Sequence, residues 1–447
     1  MSDTEPASNT EPASDTEPAS KTGPASDAGS GRRLLRLVNE IRPYDWGSAT
    51  TIPQLLGIEP TGQPAAEMWI GAHPGSPSRI AEPDPAQGAA GETLLGLIAA
   101  DPDAMLGKRV VERFGPALPY LLKLLAAEQP LSLQTHPTIH QAREGYQAED
   151  DDQVPLSASH RSYQDRNHKP ELLCALTPFQ ALCGFRPVQD GAAFLRAAAA
   201  ADPAAARLAD LGDRLVAEGG LRDVVTGLLT LRAADQAELA AAAAAACAAL
   251  AEAPGRWQPD AAAIVRIARL HPADVGVLLA MLLNYVQLAP GAAIYLAAGQ
   301  IHAYLEGFGV ELMASSDNVL RAGLTSKHVN VPELLRTVDF SAAPPHTLTA
   351  EPQESGEARF PTPAADFALA RIELDGADSA ILGAVLPSIV VCVEGSPTLA
   401  SGTERLALAP GASAFVRAGS ELTVTGPGVL FRASVGATAT AAREGSR

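Results

Sequence analysis

Leu131-Ser132-Leu133-Gln134-Thr135-His136 begins by alternating apolar and polar side chains. That is the pattern of a half-buried strand, and in a strand Gln134 and His136 share a face. Gln-x-His alone says little, since a lone strand histidine is usually structural. A second stretch is Asn167-His168-Lys169-Pro170-Glu171. If it is extended, Lys169 and Glu171 also share a face, and Pro170 favours extension and an edge strand. Alone, this pair reads as an ordinary salt bridge. A third stretch, Gly299-Gln300-Ile301-His302-Ala303-Tyr304-Leu305, places a histidine just after a glycine turn between apolar runs. Together Gln134, His136, Glu171 and His302 form a mixed nitrogen and oxygen donor set. Two imidazoles and one carboxylate suit zinc, one ion per chain, with iron or manganese as competitors.

The chain around these stretches has 447 residues, room for about three domains at ~150 residues each. Lys+Arg 33 against Asp+Glu 51 gives a net charge of -18. This argues against a nonspecific nucleic-acid binder, which needs a basic surface. The four cysteines form no CxxC pair and read as reduced, buried thiols. The longest apolar run, 239–251, is shorter than the ~18 residues of a membrane span, and no secretory signal opens the chain. A cytoplasmic location follows by default. Residues 1–30 carry a tandem hexapeptide ending in Pro-Ala-Ser, with no large apolar residue after Met1. It predicts a disordered tail, and residues 438–447 read as a second one.

Between the tails the composition changes twice. Residues 31–187 are mixed, with short apolar runs cut by Pro and Gly. Residues 188–288 are dominated by Ala, Leu and Arg, strong helix formers that predict a helical insertion. Residues 289–345 resume the first pattern and complete its domain. Residues 346–437 read as short strands punctuated by Gly and Pro, a small barrel or jelly roll. None of the nine histidines lies beyond His346, so this last part has no histidine for a metal site.

Five separated blocks are specific when taken in order: Tyr44-Asp45-Trp46-Gly47-Ser48; Ala66-Glu67-Met68-Trp69-Ile70-Gly71-Ala72-His73-Pro74; 131–137; 167–171 continuing to Phe185-Arg186-Pro187; and 302–327. Over roughly residues 35 to 340 the chain resembles the type I mannose-6-phosphate isomerases (phosphomannose isomerases) of the cupin superfamily. The resemblance implies a mainly β fold with a helical insertion. It comprises a catalytic cupin jelly roll and a second, metal-free cupin at the C-terminus. It implies zinc held by Gln134, His136, Glu171 and His302. The sugar would lie beside Arg321, with Lys123, Lys169, Lys327 and the phosphate-pocket serine Ser132. Trp46, Tyr304, Glu311 and Asp317 match further pocket positions. Departures from the family pattern are Ala292-Ala293 for a usual Glu-Ala, Ser326 for a usual proline and Ile139 for a frequent lysine; none removes a metal ligand.

The implied reaction converts mannose 6-phosphate to fructose 6-phosphate by ring opening and proton transfer from C2 to C1 through a cis-enediol. Lys169 is the first candidate base, His168 with Asp317 the candidate for ring opening, and Arg321 the oxyanion or phosphate partner, since a guanidinium stays charged. The expected partner is a phosphosugar, with no nucleic acid and no membrane, and the expected state is a monomer. The reaction would serve mannose catabolism or GDP-mannose biosynthesis. Three alternatives stay open: a cupin isomerase or epimerase of a related sugar, a two-histidine, one-carboxylate iron oxygenase, and a non-catalytic sugar-binding cupin.

Overall fold

The long strand His302–Ala314 organises the molecule. The computed structural model describes residues 31–81 and 92–436, so both predicted tails lie outside the described residues. From Arg33 onward the described residues form one compact unit. The N-terminal half of His302–Ala314 pairs with Phe179–Phe185, and His302 also pairs with Gln134. The C-terminal half runs between Tyr120–Ala127 and Glu171–Ala175. The strand changes neighbours near Gly307, where its register shifts and φ is +132°. A Cβ there would sit 2.5 Å from the Phe179 ring, so only glycine lets the two strands approach.

Strand alternation assigns the two faces. Leu122, Leu124, Val310 and Leu312 point one way, into a core shared with Leu35, Ile389, Phe415 and Phe431 of a second, eight-stranded sheet. Each such leucine or phenylalanine contributes roughly 1.5–3 kcal/mol on burial. Lys123 and Glu311, the intervening residues, stand directly opposite each other on the other face. Trp69 is the partner of Lys123 on its other side. A polar wall is therefore built against an apolar core by period-two geometry alone.

The fold is mainly β with a helical region, as expected, and the β parts are compatible with jelly rolls; the strand orders are open paths, with no closed barrel among the described residues. Three features differ from the sequence reading. The helices of the insertion end at Met281, and Leu283–Leu288 is a strand paired with Phe179–Phe185; its Tyr285 and Val286 favour extension, a signal masked by the alanine-rich text before it. Leu34–Val38 pairs with Ser413–Val416, so the first strand completes the C-terminal sheet rather than the catalytic part. Glu171–Ala175 is an interior strand, not an edge. Pro170 stands just before it, where its missing N–H interrupts no ladder bond.

The helical region braces the site. Helices Val188–Ala201, Ala233–Glu252 and Gln258–Leu270 pack through small residues, among them Ala198, Ala243, Ala246 and Ala261. Their core continues into Ile301, Leu305, Leu320 and Ala322, beside His302 and Arg321. All four cysteines are buried and unbridged. No helix among the described residues is long and apolar enough to cross a membrane.

Candidate functional site

Glu171 and His302 open their strands, Gln134 lies inside Leu133–Thr135 and His136 follows it directly. Pairing of Leu133–Thr135 with His302 draws these strand ends together. His136 Nε2 lies 3.2 Å from Glu171 Oε1, His302 Nε2 lies 3.5 Å from Glu171 Oε2, and Gln134 Nε2 lies 3.4 Å from His302 Nε2. His136, Glu171 and His302 are 1, 2 and 1% exposed.

The backbone sets both imidazole tautomers. His136 Nδ1 donates to the Asn318 carbonyl at 2.7 Å, and His302 Nδ1 donates to the Gln300 carbonyl at 2.9 Å. The proton of each neutral ring therefore sits on Nδ1, and both Nε2 lone pairs face the carboxylate. Burial pushes the His136 pKa down to about 4, against the pull of Glu171. Burial opposes ionisation of Glu171, but Lys169 and His136 outweigh it and hold the carboxyl well below its usual range. His136 Nε2 and Glu171 Oε2 are buried without a hydrogen-bond partner. Lone pairs converging in a dry site need a cation between them, and the three ligand atoms lie within 4.8 Å of one another. Neutral imidazole and carboxylate donors fit a borderline divalent metal ion.

A cavity of ≈ 530 Å³ opens over this cluster. Of the sequence-derived candidates, Trp46, Lys123, Ser132, Gln134, Lys169, Glu171, Tyr304, Glu311, Asp317, Arg321 and Lys327 line it. His136 and His302 lie behind that lining, as buried ligands would. Lys169 Nζ is 3.3 Å from Glu171 Oε1. Lys123 Nζ lies 3.1 Å from Glu311 Oε2 and 3.4 Å from Glu67 Oε1, and Glu67 accepts from Trp69 Nε1 at 2.7 Å. Burial favours the neutral amine, but Glu311 and Glu67 outweigh it and keep Lys123 charged. Burial raises the pKa of Glu311 and, together with Glu311, that of Tyr304.

Elsewhere on the wall, Arg321 and Lys327 have no carboxylate partner among the described residues. Burial lowers both pKa values, and Arg321 repels Lys327 further. Two cations without a carboxylate partner, on a cavity that Ser132 also lines, are the kind of donor set that an anion complements.

One expected pair does not form. His168 Nε2 meets Asp366 Oδ2 at 2.9 Å and does not line the cavity, while the near partner of Asp317 is His73, at 3.5 Å. Sequence reasoning paired His168 with Asp317, from two separate blocks, as the ring-opening candidates; Asp366 comes from 198 residues further along the chain, a distance no local pattern spans. It also passed over Glu67, Trp69 and His271 as site residues, although all three line the cavity. Glu67 and Trp69 were visible as a charged residue and an aromatic two apart on one strand face. His271 ends a helix of the insertion and gave no signal.

Comparison with known proteins agrees across the chain. A family model described as phosphomannose isomerase type I, catalytic domain, matches residues 34–188. Another, described as mannose-6-phosphate isomerase, cupin domain, matches residues 356–435. The chain is 41% identical to mannose-6-phosphate isomerase of Escherichia coli (strain K12) over 402 residues, covering 89% of this chain and 98% of that protein. It is 31% identical to mannose-6-phosphate isomerase 1 of Arabidopsis thaliana, covering 88% and 91%. The crystal structure of a phosphomannose isomerase mutant from Salmonella typhimurium superposes with TM-score 0.80 at 37% identity, covering 90% of this chain and 100% of that one. A zinc-bound mannose 6-phosphate isomerase superposes with TM-score 0.79 at 38% identity and the same coverage.

Proposed function

The chain belongs to the type I phosphomannose isomerase family, and on that premise we propose that it interconverts mannose 6-phosphate and fructose 6-phosphate with one zinc ion held by Gln134, His136, Glu171 and His302. The observation that carries the reading is one cavity lined both by the buried cluster and by free cations. Two imidazole lone pairs converge on a carboxylate there, and the same wall carries Arg321, cross-strand partner of Gln134, and Lys327, both without a carboxylate partner among the described residues. A phosphosugar complements both.

In this reading Arg321, Lys327 and Ser132 hold the phosphate, and Trp46 and Tyr304 shape the walls around the sugar. Zinc, when bound, supplies Lewis acidity beside the sugar oxygens, worth several kcal/mol in stabilising an enediolate. Asp317 takes the proton of the anomeric hydroxyl as the C1–O5 bond breaks and returns it to O5. His168, tied to Asp366, leaves that role to Asp317. Lys169 removes the C2 proton and delivers it to C1, while the O2 hydroxyl proton passes to O1, so that the cis-enediol collapses to the C2 ketone. Lys123, kept charged between Glu67 and Glu311, stabilises negative charge developing on the substrate oxygens.

A coupled assay on purified protein tests the reading. Mannose 6-phosphate is supplied, fructose 6-phosphate is followed, and the sample is divided with and without chelator and zinc add-back. We expect turnover that chelation abolishes and zinc restores. Lys169→Met should keep its zinc and lose turnover, whereas Glu171→Ala should lose the zinc itself. A folded, zinc-loaded protein without turnover would redirect the reading to a related sugar.

A further inference from the structure

Asp317 is anchored from two sides, and the two anchors do different work. Its backbone N–H donates to Asp165 Oδ2 at 2.7 Å, and Ser316 Oγ donates to Asp165 Oδ1 at 2.9 Å. The same Asp165 oxygen accepts from the Asn167 backbone at 2.8 Å. These bonds hold the loop that carries Asp317, but none reaches its carboxylate. That carboxylate is 55% exposed and lines the cavity, and its near partner is His73, whose Nε2 lies 3.5 Å from Oδ2.

His73 is built to face it. Its side chain is 6% exposed and stands edge-on to Trp69, with ring centroids 4.9 Å apart at 87°. The Gly75 backbone N–H donates to Nδ1 at 3.1 Å. Nδ1 is thus an acceptor, and the proton of the neutral ring must sit on Nε2, the nitrogen that lies 3.5 Å from Asp317 Oδ2. A Cβ at Gly75 would come within 3.2 Å of that Nδ1, so the turn around Gly75 is wrapped against the ring. Burial, reinforced by Lys123 and Lys169 but opposed by Asp317 and Asp165, lowers the His73 pKa, which favours the neutral donor form.

We propose that His73 is the positioning residue of the ring-opening carboxylate: its Nε2–H steadies one oxygen of Asp317, leaving the other free to take the anomeric proton. This rests on the isomerase reading above. It assigns to His73 the partnership with Asp317 that the sequence reading gave to His168. It also links the carboxylate to the substrate wall, because the ring that packs on His73 belongs to Trp69, which bonds Glu67 beside Lys123.

The test is a double-mutant cycle on full-length, zinc-loaded protein, reading kcat, KM and melting temperature for His73→Leu, Asp317→Asn and the double variant. A positioning role predicts that His73→Leu lowers kcat by at least about tenfold, a share of the ~10²–10⁴ that a general acid or base contributes, with KM little changed. It predicts no further loss from His73→Leu in the Asp317→Asn background, since the group it acts through is gone. His73→Gln, which keeps an N–H donor at the same reach, should recover most of the rate. It is also the variant to read if the leucine variant does not fold. Equal losses in both backgrounds would mean that His73 only supports the fold, and this would overturn the proposal. Wild-type kcat in His73→Leu would overturn it too. Absence of turnover in the wild-type enzyme would instead remove the isomerase reading, and the proposal with it.

Discussion

Lys123→Met should cost stability as well as activity, by an amount the buried triad allows one to work out. Lys123, Glu311 and Glu67 are 5, 3 and 6% exposed, and the ammonium lies 3.1 and 3.4 Å from the two carboxylates. At an effective dielectric of about 20, each contact is worth roughly 5 kcal/mol before desolvation. Desolvation offsets much of this in the intact protein. Removing the cation, however, leaves two carboxylates buried side by side. Breaking a buried pair in this way costs about 3–5 kcal/mol. Unfolding entropy of ~2.1 cal/mol/K per residue over about 400 ordered residues turns that into a melting temperature roughly 4–6 °C lower.

The sign of the pH dependence follows from Glu311. Burial already raises its pKa above 4.5, and losing Lys123 removes its main opposing charge. A carboxyl with a raised folded pKa stabilises fully below its unfolded value, and that stability is lost as pH rises. The deficit of Lys123→Met should therefore widen from about pH 5 to about pH 8. Adding Glu311→Gln should recover around half of it by removing one stranded charge. Calorimetric melting of the three proteins at both pH values reads this directly. A Lys123→Met protein melting within about 1 °C of wild type at pH 8 would refute the reasoning. So would a deficit that Glu311→Gln leaves untouched.

Two further outcomes follow from the same structure. In metal-free protein, His136 titrates near 4 rather than at its ordinary 6.5. The unfolded chain binds that proton first, so stability falls as pH drops from about 6.5 towards 4. Melting scans in chelator should show the fall, with a shallower slope for His136→Gln; parallel slopes would contradict it. Gly47→Ala would place a Cβ 2.4 Å from the Ala66 Cα. Backbone cannot move aside cheaply, so overpacking of about 1–3 kcal/mol is expected, with a higher KM as neighbouring Trp46 shifts. An alanine variant with unchanged melting and KM would refute the packing argument.

The residues around the metal were legible because their geometry is largely local. Gln134 with His136, and Lys169 with Glu171, lie two apart, and reading each stretch as extended already put the pair on one face, although His136 and Lys169 stand just outside the strands themselves. The order of the five blocks pointed to the family, and the helical block declared itself by composition. Lys123 and Glu311 could be named from the motif, but not their opposition, because cross-strand register is set by which apolar residues reach the common core. Only the fold could decide that His73 rather than His168 faces Asp317, that Leu34–Val38 completes a sheet formed by strands near residue 415, and that His271 of the insertion reaches the cavity. Each is a contact between segments with no periodic relation in the chain. Such contacts arise when the faces marked by local patterns are buried against one another, and a linear pattern records the faces but not their partners.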